Sequence, residues 1–239
     1  MFNRFEEQSP QALGQAAAQA STMFLAKVFN WMAAGLGLTA LTAFLVAHSA
    51  AAQQLIFGNM LLFYGLIIGE LGLVIYLSAR LAKISAEQAT VMFLIYSALN
   101  GATLSAVLLV YTATSVASAF VVASGMFAAM AIYGTVTKKD LTSLGSFMFM
   151  GLIGIVIAGL VNLFLRSPAV SWVISAIGVI VFTGLTAYDV QKISRYGASG
   201  VMAGGDAAIR KGAIMGALTL YLDFINLFLS LLRLMGNRR

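Results

Sequence analysis

Near 28–48, 55–79, 89–111, 116–136, 142–165, 169–188 and 212–232 the chain runs for about twenty residues with almost no charge. A helix rising 1.5 Å per residue needs about that length to cross the ~30 Å hydrocarbon core of a bilayer. Only helices and closed barrels satisfy their backbone groups in such a medium. Barrel strands would alternate apolar and polar residues over segments of about ten, whereas these runs are continuous. The chain is therefore expected to be an all-α integral membrane protein with seven transmembrane helices. Composition agrees: 61% of the 239 residues are hydrophobic and 9% charged, against roughly 25% charged in a soluble domain. A soluble fold and a disordered chain are both excluded.

The polar stretches set the expected organisation. Residues 1–26 are rich in Gln and Ala and lack the basic region, short apolar core and cleavage site of a signal peptide. They predict a polar cytoplasmic N-terminal segment ahead of a membrane domain spanning 27–239. The gap at 190–211 holds Gly197, Gly200, Gly204, Gly205 and four bases, which reads as a flexible polar loop. With seven crossings one face carries Arg4, Lys27, Arg80, Lys83, Lys138, Lys139, Lys192, Arg195, Arg210 and Lys211, and the other Arg166 and the tail arginines Arg233, Arg238 and Arg239. That asymmetry predicts a cytoplasmic N-terminus. The three tail bases argue instead for an inside tail, which a last helix that enters without crossing would satisfy. The net charge of +6 thus reflects topology rather than nucleic-acid binding. Trp31 and Trp172 lie near run ends and are expected to be interface anchors. With no cysteine and one histidine, His48, the chain offers no disulfide, thiolate or zinc set, and no cofactor is expected.

The acids carry the functional information. Glu6, Glu7, Glu87, Asp140 and Asp206 lie in polar segments, but Glu70, Asp189 and Asp223 lie in or at the end of apolar runs. An ionised carboxylate at bilayer depth costs at least ~2.5–3.5 kcal/mol, so each must face protein, water or a partner. A structural hydrogen bond between helices is one use of such a group. Three acids in one small bundle favour function.

In the last run Gly216, Thr219, Asp223, Asn226, Ser230 and Arg233 recur at spacings of 3 and 4, which draws a polar stripe along one helix face. Gly212 and Gly216, and likewise Gly65 and Gly69 before Glu70, form small-residue pairs that permit close helix approach. The sixth run ends in Thr186-Ala187-Tyr188-Asp189. If Asp189 and Asp223 meet, they cannot both ionise cheaply and titrate as a unit, which makes the pair a proton sensor. A base beside the pair would favour its charged form. Arg80 is the candidate, a plain cytoplasmic anchor being the alternative.

The segments Thr186-Ala187-Tyr188-Asp189-Val190-Gln191-Lys192-Ile193 and Leu220-Tyr221-Leu222-Asp223-Phe224-Ile225-Asn226 resemble the signature of the transmembrane Bax-inhibitor-motif family. Tyr96-Ser97-Ala98-Leu99-Asn100-Gly101-Ala102-Thr103-Leu104-Ser105 and the Glu70 segment add to it. The similarity covers the chain after about residue 20 and lies nearest the bacterial, YccA-like branch. It implies a seven-helix fold with the last helix central and six around it, in a bacterial inner membrane. It further implies a pH-sensitive calcium leak, with Asp189 and Asp223 as sensor and gate and a base near the end of the second helix as latch. Arg80 follows Glu70 by ten residues, which leaves it about 80° off the Glu70 face. A second role implied by the resemblance is binding and modulating an FtsH-type membrane protease, for which residues 1–26 would serve as the recognition segment.

Calcium wants six to eight oxygens. Asp189 and Asp223 would hold it transiently, with Glu70, Asn100, Asn226 and Ser230 as further pathway residues, and few fixed charges make the weak site that conduction requires. No enzyme is expected. Two intramembrane aspartates also describe an aspartyl protease of the presenilin type. Here Asp223 follows Tyr221-Leu222 rather than glycines, Gly204-Gly205-Asp206 falls in the polar gap, and Pro168 precedes Ala169-Val170.

Overall fold

A computed structural model describes residues 10–81 and 83–239. The chain forms α1 (Pro10–Ala47), α2 (Ala50–Phe57), α3 (Met60–Arg80), α4 (Ala86–Val110), α5 (Ala113–Val136), α6 (Thr142–Leu165), α7 (Pro168–Ala198), a single 3-10 turn (Val201–Ala203) and α8 (Gly205–Met235). Among the described residues, seven of these helices, all but α2, are long and apolar enough to cross a membrane.

Short connections are possible because polar residues close the helix starts, where unpaired backbone N–H groups are costly near lipid. The Ser85 hydroxyl accepts from Gln88 N at 3.1 Å while Gln88 Oε1 accepts from Ser85 N at 3.0 Å, a reciprocal cap that starts α4. Thr112 caps α5, and Ser167 caps α7 with Pro168 in its first turn. Asn59 Oδ1 accepts from the amides of Leu61 and Leu62. That cap divides the apolar run expected at 55–79 into α2 and α3.

α8 is the central helix. Of its most apolar window 72% is buried, against at most 39% in any other spanning helix. α1, α4, α5 and α7 line it directly, while α3 stands behind α4 and α6 behind α7. Glycines allow the closest approaches: a Cβ on Gly101 would fall 2.5 Å from Thr39 O, and one on Gly134 2.4 Å from Ala187 O. Gly212 and Gly216 pack as expected, against Tyr196 and Phe24 and against Val28. Gly65 and Gly69 do not: nothing among the described residues lies within 4 Å of a Cβ at either.

Two polar stretches are helical where the sequence suggested loose chain. α7 runs on to Ala198 and α8 starts at Gly205, so the loop expected over 190–211 shrinks to residues 199–204. Buried Val190, Gln191, Ile193 and Gly197 continue the packed face of α7 past its apolar run, and the bases Lys192 and Arg195 occupy its exposed side. The reversal is left to Gly200 (φ 90°) and Gly205 (φ 79°), at positive φ values that favour glycine. α1 likewise passes through residues 26 and 27 without a break. Its Phe24 and Val28 are fully buried, Phe24 stands edge-on to Tyr196, and the Ser21 and Ser194 hydroxyls meet at 2.7 Å. Residues 1–9 of the expected N-terminal segment lie outside the described residues.

At the opposite end the tail runs antiparallel to the α4–α5 connection. Thr112 N donates to Asn237 O (3.1 Å), Arg239 N to Val110 O (2.9 Å) and Asn237 N to Ser115 Oγ (2.9 Å).

Candidate functional site

α7 and α8 pack side by side and bring Asp189 and Asp223 together on the wall of one crevice. Asp223 is buried, and its Oδ2 has no hydrogen-bond partner among the described residues. A hydrogen bond between two carboxyl groups requires a proton on one of them. Without it, two like charges share a poorly solvated site. The pair therefore has two chemically distinct forms that differ by one proton.

The pair opens into a crevice of about 560 Å³ between α6, α7 and α8. Gly145 and Ser146 on α6 and Thr219 and Asn226 on α8 line it, together with Lys192, one turn after Asp189. The Lys192 ammonium lies 5.8 Å from the centre of the Tyr188 ring. Gly145 is what lets α6 close this wall, since a Cβ there would fall 2.4 Å from the Tyr188 ring.

The polar stripe of α8 faces α7. Asn226 Nδ2 donates to Leu222 O (2.8 Å) and Ser230 Oγ to Asn226 O (2.7 Å), so both side chains return a hydrogen to their own helix and keep an oxygen available. A Cβ at Gly178 of α7 would fall 2.6 Å from Ser230 Oγ.

Glu70 and Asn100 belong to a second cluster. Glu70, buried on α3, accepts from Asn100 Nδ2 (3.3 Å) and Thr103 Oγ1 (3.0 Å) of α4. The Tyr221 hydroxyl donates to Asn100 Oδ1 (3.0 Å) and lies 2.7 Å from Thr39 Oγ1 of α1. Thr39 also reaches Ser97 O at 2.8 Å. Four helices are thus tied by one chain of hydrogen bonds ending on a carboxylate. The sequence singled out Glu70 and Asn100, and held Thr103 and Tyr221 inside the motifs without giving them a role; Thr39 was missed. Tyr221 had a legible signal: it precedes Asp223 by two residues, which turns it about 200° around the helix.

Arg80 joins neither cluster. It is exposed at the end of α3, and the ion pair found among the described residues is Arg195–Asp140 at 3.1 Å. Its position fits the anchor alternative: α3 packs behind α4, away from the central helix, so its terminus points outward. Asp140 and Gln191 secure that end instead. Gln191 Oε1 accepts from Leu141 N (3.0 Å) and its Nε2 donates to Lys139 O (2.8 Å), which clamps the α5–α6 connection to α7.

The model of the family described as "Inhibitor of apoptosis-promoting Bax1" matches residues 21–239, which contain both clusters. The chain belongs to the Bax-inhibitor family. It is similar to the "Inner membrane protein YbhL" of Escherichia coli K12, 54% identical over 90% of this chain and 92% of that one. An "Uncharacterized protein" of Borreliella burgdorferi is 46% identical over 90% and 92%. "Uncharacterized protein RP147" of Rickettsia prowazekii is 44% identical over 90% of each. With seven spanning helices and an inner-membrane relative of this similarity, this Bax-inhibitor protein is a multi-pass inner membrane protein.

Proposed function

We propose that this Bax-inhibitor protein is a pH-sensitive calcium leak pathway in which Asp189 and Asp223 act as proton sensor and gate. The observation that carries the reading is their approach at a crevice, with one Asp223 oxygen unpartnered among the described residues. A proton and a calcium ion compete for the same oxygens. The pair supplies at most four of the six to eight that calcium prefers, with Asn226 and Ser230 adding neutral acceptors along α8. Such a site holds the cation briefly and releases it, as conduction demands.

A change in protonation also has a mechanical consequence. The pair sits between the most buried helix and its main neighbour, so a change in its charge acts on the α7–α8 packing itself. By the positive-inside rule the end that carries Lys138, Lys139, Lys192 and Arg195 faces the cytoplasm in this reading.

The test is calcium entry into indicator-loaded liposomes between about pH 6 and pH 8 for the wild type, Asp189→Asn and Asp223→Asn. A pH-dependent flux whose profile changes in both variants supports the reading. Flux no greater than in empty liposomes, from protein shown to be folded, ends it and leaves the protease-regulator role to be tested by pull-down.

A further inference from the structure

At the end of the bundle where the tail emerges lies a cavity of about 1030 Å³, and three arginines line it: Arg166, Arg233 and Arg238. No carboxylate is among its lining residues, and none of the three forms an ion pair among the described residues. Each comes from a different element and each backbone is fixed. Arg233 stands in the last turn of α8. Arg166 ends α6 in a left-handed conformation at φ 50°, unusual for a residue with a Cβ, with its amide on Asn162 O (2.8 Å). Arg238 is held by the pairing of the tail with the α4–α5 connection and lies over the Tyr111 ring, 5.8 Å from its centre.

Seven crossings put these arginines on the face that carries few bases, so membrane topology does not account for them. Their convergence on a cavity does. All three arginines are solvent-exposed. Guanidinium groups match the oxygens of a phosphate in pairs, and three of them bordering one cavity that no carboxylate lines favour an anion there. The first turn of the 31-residue α7 also borders the cavity, through Pro168 and Ser171, and adds the positive end of a helix dipole.

The depth points to lipid. Trp172 and Tyr111 line the cavity, and such residues gather at headgroup level. The adjoining Phe164 and Leu163 are 89% and 70% exposed, an apolar wall leading from the arginines to the acyl-chain region. We propose that this cavity binds the phosphate of an anionic phospholipid headgroup through Arg166, Arg233 and Arg238. The site does not depend on the calcium reading.

The chain has two tryptophans, so Trp31→Phe leaves Trp172, inside the cavity, as the only reporter. The full-length Trp31→Phe protein is placed in phosphatidylcholine nanodiscs containing either phosphatidylglycerol or phosphatidylcholine with brominated chains. Brominated phosphatidylglycerol is expected to quench Trp172 at a several-fold lower mole fraction. That preference weakens with each arginine replaced by Gln and is gone when all three are replaced, and Lys138→Gln at the opposite end leaves it unchanged. Equal quenching by the two lipids overturns the proposal without any arginine variant. So does a preference that survives Arg166→Gln/Arg233→Gln/Arg238→Gln in protein shown by circular dichroism to be folded. Inorganic phosphate at constant ionic strength separates the sources. Relief of quenching by phosphate confirms a phosphate site occupied by lipid, whereas a phosphate-induced change in Trp172 emission without lipid preference assigns a free anion and overturns the lipid.

Discussion

Tyr221 and Asp223 stand two residues apart on α8 and face opposite sides of it: the Tyr221 hydroxyl lies 2.7 Å from Thr39 and 3.0 Å from Asn100, while Asp223 meets Asp189 of α7. The central helix is therefore held in rotation by polar groups on two faces. One face leads to Glu70 through neutral donors and the other ends on a second carboxyl. A turn of α8 about its axis disturbs both at once.

Replacing either member of the aspartate pair by Asn preserves its size and removes its proton exchange. Calcium flux in Asp189→Asn and Asp223→Asn is expected to lose its variation with pH, measured as initial rates in indicator-loaded liposomes. An Asn amide also donates to the remaining carboxylate. Thermal unfolding in detergent should then show Asp223→Asn no less stable than the wild type. A pH profile unchanged in both variants removes the pair from gating.

Tyr221→Phe tests the other face. It deletes the hydroxyl between Thr39 and Asn100 and keeps the ring that stands edge-on to Phe93 and Tyr96. A cost of about 1 kcal/mol is expected, typical of a hydrogen bond between membrane helices. The pH profile of flux stays where it is, because the aspartate pair is untouched. A shifted profile would show that the two clusters act as one.

Gly134 and Gly125 share α5 and differ in what a methyl group meets. At Gly134 it falls 2.4 Å from Ala187 O, two residues before Asp189, while at Gly125 nothing among the described residues lies within 4 Å. Gly134→Ala is expected to cost about 1–3 kcal/mol by forcing α5 from α7, whereas Gly125→Ala gains up to about 1 kcal/mol from helix propensity. Unfolding midpoints of the two variants in one detergent decide the matter.

Asp140 sits outside the membrane spans, and its carboxyl is held below its ordinary range, first by the Thr142 hydroxyl, then by the Thr142 amide and the Arg195 guanidinium. A lowered carboxyl stabilises the fold above its unfolded value of about 3.9 and loses that contribution as pH falls through the lower folded value. The melting difference between wild type and Asp140→Asn should be small and constant from neutral pH to about pH 5, decline from about pH 4 and vanish once the pH is below the lower folded value. A difference that persists in strong acid would mean that charge plays no part.

Much of the fold was legible along the chain. The apolar run at 142–165 coincides with α6, Thr142–Leu165, because length and continuity are what lipid selects. The same criterion failed at residues 190–198 and 205–211, where α7 and α8 project past the apolar stretch. Helices outside the hydrocarbon carry charges on one face, and a search for uncharged runs does not see them. The stripe from Thr219 to Ser230 was readable because 3.6-residue periodicity places it on one face. The contact between Thr39 and Tyr221, 182 residues apart, left no periodic trace, and neither did the meeting of Arg166, Arg233 and Arg238.

By itself the sequence determined a membrane-spanning helical bundle, its seven apolar runs, and the acids too costly to leave facing lipid. Those properties are local: hydropathy, helical repeat and the solvation of single charges depend on neighbours along the chain. Tertiary structure decided which acids meet. It set Asp189 against Asp223, gave Glu70 to Asn100 and Thr103, and left Arg80 outside both clusters. Helix order and rotation around α8 settle those partners, and they arise from close packing at Gly101, Gly134 and Gly178, where the fit depends on two helices at once.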